Sequence, residues 1–393
     1  MHRLAVWRGR LSPVWRGSIY PFGYWGVIGM FTPFINVYFA HLGFSGREIG
    51  LLSALFPLMT FVVAPAVAAM ADRTARRTQV LAISTGGFAL TLFLIQSAHT
   101  FAAMMVAMAA LALMRSPLAP LSDSLITRMA VRYQIDYGQM RRWGALSFAL
   151  AALIGGQIWQ RVGYAPMFVL AGLLLLPVLF SALLLDEGAA TVRQHEYRLH
   201  AVLRDRTVLA IIIATSLMGA TLSMDGAFGG IFIDRLGGGA LLVGIVTAVG
   251  GFSQFPAMQR GSALARRFGG MPTLLIACTL MALGHAGYTI ATVPAVLAGL
   301  AVFKGFGFGL FFVSAVRLLD ERSPPVWATT VQALMQAGGW GIAPLIAGPL
   351  SGIIFDTWGP RAVFATCCTL LIIAGAVVVL MPERRPVALS TTD

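Results

Sequence analysis

The chain has 393 residues, 58% of them hydrophobic and 11% charged, against about 25% charged in a soluble globular domain. Its net charge of +13 would suit a nucleic-acid binder, but the basic residues sit in short gaps beside apolar runs. There they act as topology signals and lipid-headgroup contacts, which excludes a nucleic-acid partner.

Apolar runs of about 20 residues read as membrane-spanning helices. Twelve such spans are predicted, over residues 18–41, 47–71, 78–98, 101–127, 139–163, 165–185, 208–233, 241–264, 273–291, 295–319, 327–355 and 362–381. The first sixteen residues are basic, and a full-length span follows them rather than a short apolar core with a cleavage site, so no signal peptide is expected. Arginine loads alternate gaps: 21 arginines fall on one side of the spans and 4 on the other. Basic loops stay in the cytoplasm, so both termini are expected there, in a multi-pass protein of the inner membrane. Cys278, Cys367 and Cys368 all lie inside predicted spans, which implies neither a disulfide framework nor a metal site.

The longest polar stretch divides the chain into a six-helix bundle over 1–185, a cytoplasmic loop over 186–206, and a second six-helix bundle over 207–393. In that loop His195-Glu196…His200 has its histidines five apart, whereas a zinc-hydrolase helix needs four to put both on one face. An amphipathic linker on the membrane surface is the expected role. The halves repeat weakly. Gly50 through Ala71-Asp72-Arg73 lies on Gly244 through Ala265-Arg266-Arg267 at an offset of 194, and Trp143-Gly144 recurs as Trp340-Gly341 at 197. Two halves related by a parallel repeat, with a site between them near the midplane, are the architecture of rocker-type transporters. Prolines inside spans, such as Pro33, Pro57, Pro117 and Pro344, are tolerated where neighbours satisfy the backbone. Gly305-x-Gly307-x-Gly309 follows no strand, so it signals close helix packing and not a phosphate loop.

Met70-Ala71-Asp72-Arg73 with Arg76-Arg77, between the second and third spans, resembles the loop signature of the major facilitator superfamily, with Ala68 and Ala75 in place of its two glycines. By that resemblance Asp72, Arg73, Arg76 and Arg77 form a cytoplasmic latch that breaks when the halves rock. The segments Gly29-x-x-x-Pro33-Phe34…Tyr38 and Leu42-Gly43-x-Ser45-x-x-Glu48-Ile49-Gly50 are similar to the branch that holds 3-phenylpropionate transporters, lactose permease and nucleoside:proton symporters. So are Pro120-Leu121-x-Asp123, Asp136-Tyr137-Gly138-x-x-Arg141-x-Trp143-Gly144 and Gly348-x-Leu350-Ser351-Gly352. The resemblance implies an all-α membrane protein with twelve transmembrane helices in two pseudo-symmetric bundles.

Ionisable residues inside the bilayer cost about 2.5–3.5 kcal/mol each at a helix centre and therefore face a cavity or a partner. Lys304, the one lysine of the chain, lies inside the tenth span, Asp225 in the seventh and Arg115 in the fourth. Asp123 and Arg141 match in spacing a charge pair of the lactose permease sugar site, which implies that Arg141 binds a substrate oxygen with Asp123 as its partner; a structural ion pair at the interface is the other reading. Lys304 falls where that permease has a proton-coupling histidine, while Gly307 replaces its proton-carrying glutamate. Asp225 is the remaining candidate proton carrier, alternating between a protonated and a lysine-paired form; a permanent Asp225–Lys304 bridge is equally consistent with the sequence. Phe228 and Phe308 lie three and four residues beyond these charges and can share their helix faces.

The expected function is proton symport of a small organic acid, an aromatic one among the candidates, by alternating access. Asp123, Arg141, Arg115 and Lys304 would form the substrate site. Uptake of a neutral nucleoside or sugar, and efflux by proton antiport, are the rivals. Neither an enzyme nor a bound cofactor is expected; the proton is the coupling ion, the partners are a small-molecule substrate and the bilayer, and the chain is a monomer.

Overall fold

The structure is a computed structural model and describes residues 11–187, 205–322 and 328–380. The candidate motif His195-Glu196…His200 lies outside them, as do the chain ends. Among the described residues every regular element is a helix. In order they are α1 (Pro13–His41), α2 (Gly46–Thr74), α3 (Arg77–Gln96), α4 (Phe101–Arg115), α5 (Leu118–Tyr133), α6 (Tyr137–Val162), α7 (Met167–Ala182), α8 (Arg206–Arg235), α9 (Gly239–Phe268), α10 (Gly270–Ile290), α11 (Val296–Arg322), α12 (Ala328–Gln336), a π-helical turn (Ala337–Ile342), α13 (Ala343–Trp358) and α14 (Pro360–Leu380). α4 with α5 makes one span, and α12, the π turn and α13 make another, so the described residues form twelve spans. Nine of them are long and apolar enough to cross a membrane on length and composition alone.

The starts follow from side chains that satisfy the free N–H groups of a first turn. Ser12 caps α1 ahead of Pro13, Ser45 and Glu48 form a reciprocal capping box on α2, and Asp136 and Asp205 cap α6 and α8. Two spans depart from the predicted unbroken form. The fourth is interrupted at Ser116–Pro117, because proline cannot donate the next helical bond, and it runs on to Tyr133. The eleventh carries the π turn over Ala337–Ile342.

The repeat is geometric as well as sequential. An offset of 194 carries the left-handed Gly43 and Ala75 onto Gly237 and Gly269, and one of 196 carries Gly163 onto Gly359, all with positive φ. The halves touch at two crossings related in the same way. α2 lies on α13 so closely that a Cβ on Gly50 would stand 2.5 Å from the Gly348 carbonyl oxygen, and one on Gly352 2.2 Å from that of Gly46. α9 lies on α6 likewise: a Cβ on Gly244 would stand 2.4 Å from the Ala152 carbonyl oxygen, and one on Gly156 2.8 Å from that of Ala240. Small residues let membrane helices approach backbone to backbone.

Polar locks hold these crossings. Asp356 accepts the Gly46 and Arg47 N–H groups at 2.7 and 2.9 Å, at the N-terminus of α2. At the matching place Gln160 accepts the Leu241 N–H at 3.2 Å. His41 bonds Asp234 across the halves at 2.7 Å. All of these contacts lie at the arginine-poor end. Toward the other end α2 loses its cover, since of residues 61–72 only Ala64 and Ala71 are buried. Among the described residues the halves are clamped at one end, and α2 is largely exposed toward the arginine-rich one.

Gly50→Leu is therefore expected to force α2 off α13 and open the clamped end. In a background with Cys278, Cys367 and Cys368 replaced by alanine, a Thr32→Cys probe should then react several-fold faster with a membrane-impermeant maleimide added on the arginine-poor side. An unchanged rate would show that the glycine crossing does not hold that end shut.

Candidate functional site

A cavity of about 380 Å³ lies where the halves meet. Thr32, Pro33 and Phe148 line it from the first half; Asp225, Gln254, His285, Tyr288, Lys304 and Phe308 line it from the second. Lys304 Nζ donates to both oxygens of Asp225, at 2.8 and 2.9 Å, and stands 3.8 Å from the centre of the Tyr288 ring. The lysine stem passes over Gly284 of α10, where a Cβ would come within 2.6 Å of the Lys304 Cγ. Glycine at that place is what lets α11 present its lysine to α8. Gly305, next along α11, approaches the Gly250 backbone, so the glycine run does serve close packing. His285 Nδ1 donates to the Met281 carbonyl at 2.8 Å, which leaves Nε2 as a buried acceptor with no partner among the described residues.

A second cavity, of about 300 Å³, shares Thr32, Leu222 and Gly226 with the first. Phe31, Phe56 and Trp340 supply aromatic wall, and Asn36, Ser53 and Ser223 supply polar groups. Trp340 reaches it from the π turn. Arg115 enters at the end of α4, just before the Ser116–Pro117 break. Its guanidinium lies 4.2 Å from the Phe56 ring centre and 5.9 Å from that of Phe31. Its buried Nε has no hydrogen-bond partner, and it forms no ion pair among the described residues.

Asp123 and Arg141 form an ion pair at 3.2 Å, with Arg141 over the Trp25 ring at 4.7 Å. This pair lines neither cavity. The buried Tyr24 stands beside Arg115 and within the field of Asp123 and Arg141. The four residues expected to converge on one substrate site are thus split. Lys304 stands on one cavity, Arg115 on its neighbour, and Asp123 with Arg141 beyond both. Across the turn between α2 and α3, Arg77 at the start of α3 donates to Asp72 in the last turn of α2, while Arg73 and Arg76 are exposed. Phe308 is cavity wall, but Phe228 is not: it is fully buried and stacks on Phe355 at 4.5 Å.

Sequence reasoning passed over His285, Tyr288, Gln254, Phe56 and Trp340. His285 carried a signal, an ionisable ring inside the ninth span, whereas the aromatics look like any lipid-facing residue. It also assigned Asp186 and Glu187 to the central loop. In the structure Asp186 binds Arg16 at 3.0 Å and Tyr133 at 2.7 Å, and Glu187 accepts the Arg77 and Thr78 N–H groups that open α3.

A family model described as the MFS_1 like family matches residues 14–366. The chain belongs to that family. It is a membrane transporter of the major facilitator superfamily and not an enzyme. The transporter is 27% identical to a maltose permease of Geobacillus stearothermophilus over 94% of its own length and 95% of that protein. It is 28% identical to a probable 3-phenylpropionic acid transporter of Escherichia coli K12, over 86% and 90% of the two chains. Its fold superposes on a mutant form of the nucleoside transporter NupG with a TM-score of 0.84 at 16% identity, covering 95% of this chain and all of that one.

The Asp225 and Lys304 side chains are 22% and 13% exposed, so removing one partner strands a charge. Asp225→Leu should cost the transporter about 3–5 kcal/mol of stability. The double change Asp225→Leu with Lys304→Met should recover most of that loss, as read by thermal unfolding in detergent. A single variant that melts with the native protein would mean that the bridge is not part of what holds α8 to α11.

Proposed function

We propose that the transporter takes up a small organic acid with an aromatic body across the inner membrane, by alternating access in symport with a proton. The observation that carries this reading is Arg115. A half-buried arginine whose buried Nε lacks a hydrogen-bond partner, with no carboxylate paired to it among the described residues and with Phe31, Phe56 and Trp340 as walls, matches an acid with an aromatic body in charge and in shape. Lys304 is already neutralised by Asp225 and capped by Tyr288, so in this conformation it is a poor first receptor for an anion. Its part is coupling: a proton on Asp225 breaks the bridge and frees the ammonium to face the solute. The likeness to a probable 3-phenylpropionic acid transporter supports this substrate class.

On this reading the arginine-rich end faces the cytoplasm, with both termini there. Residues 1–185 and 207–393 are the rocking bodies, and this conformation opens inward. Among the described residues Asp72 is paired within its own half, with Arg77; on the reverse swing Asp72, Arg73, Arg76 and Arg77 meet the facing half as the latch. Asp123 and Arg141 act behind Arg115 through Tyr24. A second reading is favoured by the larger cavity, where Gln254, Thr247 and His285 offer the hydrogen-bonding groups that a neutral sugar needs, and by the likeness to a maltose permease.

Proteoliposomes distinguish the two. With an imposed pH gradient, 3-phenylpropionate should drive proton flux above that of empty liposomes, while maltose and nucleosides should not. Loss of the charge-assisted bond in Arg115→Ala should raise the KM for the acid by about tenfold to a hundredfold, with Arg115→Lys intermediate. Flux with maltose alone, unaffected by Arg115→Ala, would move the substrate to the larger cavity and make Arg115 structural.

A further inference from the structure

Away from the cavities between the halves, α1, α6 and α7 enclose a groove of about 420 Å³ on the outer face of the first half. The small residues Gly23, Gly26 and Ala151 line it, as do Leu150, Ile154 and Leu174, which are 40%, 51% and 39% exposed. The hydroxyls in its wall are already used: Ser147 donates to the Gly144 carbonyl at 2.9 Å and Ser181 to that of Val178 at 2.7 Å. What fills such a groove is hydrocarbon. The lining runs along α1 from Ile19 to Met30, about 16 Å at the helical rise per residue. That is the depth of one leaflet, about half of a 30 Å hydrocarbon core.

The arginine-rich end of the groove has a different chemistry. Trp15 stands one turn before Ile19 on α1, and Trp143 one turn before Ser147 on α6, so each continues a groove face toward that end. Their ring centres are 5.7 Å apart across the two helices, and Trp15 is 54% exposed. Paired tryptophans beside an apolar groove mark the headgroup level. The exposed Arg142 lays its guanidinium 5.6 Å from the Trp143 ring centre and forms no ion pair among the described residues. Nearby Arg16, by contrast, is taken up by Asp186 at 3.0 Å. We infer that this groove binds an anionic phospholipid of the arginine-rich leaflet, one acyl chain lying between α1, α6 and α7 and the headgroup phosphate on Arg142.

The test is native mass spectrometry of the delipidated full chain, titrated with dioleoylphosphatidylglycerol and separately with dioleoylphosphatidylcholine. The native protein should retain the anionic lipid several-fold better. Arg142→Gln, at an exposed side chain, should lower retention of the anionic lipid to that of the zwitterionic one and leave the latter unchanged. Ala151→Phe, which puts a bulky ring on the groove lining, should lower both. Equal retention of the two lipids by the native protein, or retention that Arg142→Gln does not change, would assign the bound lipid to the unspecific annulus and overturn the proposal. Neither outcome touches the substrate reading, which rests on other residues.

Discussion

A charge cannot sit alone in hydrocarbon, and the interior of this protein is arranged around that constraint. Three deep cations meet it in three ways. Lys304 is held by both oxygens of Asp225 and by the face of Tyr288. Arg141 is paired with Asp123 at 3.2 Å and lies over Trp25. Arg115 has aromatic faces and no ion pair among the described residues. A cation over a ring is stabilised by about 0.5–2 kcal/mol, less than the cost of carrying a charge to mid-membrane. The incomplete compensation at Arg115 is the place where a solute of opposite charge would contribute most. Among the described residues these cations thus fall into two ion pairs and one cation without an ion pair, and on the proposed reading the last is where a solute supplies binding energy.

The second constraint is the clamp between the halves. Its two crossings have matching backbone approaches, and only small residues allow carbonyl oxygens so close to the neighbouring helix. Their polar locks differ. Asp356 offers a charged acceptor to two N–H groups at the positive end of α2, whereas Gln160 offers a neutral one to a single N–H of α9. Charge-assisted hydrogen bonds are roughly twice as strong as neutral ones, and a carboxylate also gains from the helix dipole. The clamp is therefore symmetric in shape and unequal in strength. On the proposed rocking motion, the contact broken at the α9–α6 crossing is weaker than that at the α2–α13 crossing.

Much of this fold was legible because a bilayer imposes simple rules. Span lengths follow from hydrocarbon thickness, so the ends predicted from apolar runs fall within a few residues of most helix ends. The repeat was visible at Gly50 and Gly244 because close helix contact tolerates so few residues there. The break at Ser116–Pro117 was not foreseen, since proline in a membrane helix is as often absorbed as obeyed. The π turn left no mark in composition at all. For the site, rarity was the useful signal. One lysine and a few deep charges could be named from sequence, and the Asp225–Lys304 pair does form. Which charges share a cavity could not be read, because that depends on where α4 ends and how α1 rotates its faces. Aromatic walls were invisible for another reason: Phe56 and Trp340 look the same in sequence whether they face lipid, core or solute.

The two ionic centres stand in different halves, yet their cavities meet at Thr32, Leu222 and Gly226. Those residues belong to α1 and α8, the first helix of each half and equivalent positions in the repeat. A solute anchored on Arg115 and reaching past Thr32 would touch both rocking bodies at once. On the proposed reading this contact is what couples binding to motion. In the unloaded protein, bringing the halves together at the arginine-rich end would remove water from Arg115 without supplying a counter-charge. With an acid bound and Asp225 protonated, Arg115 and Lys304 share the one negative charge of the solute, so the closed site carries the same net charge as the empty one. On the proposed reading the order of the cycle then follows from desolvation cost: the state that crosses the closed intermediate is the one in which Arg115 is no longer left without a counter-charge.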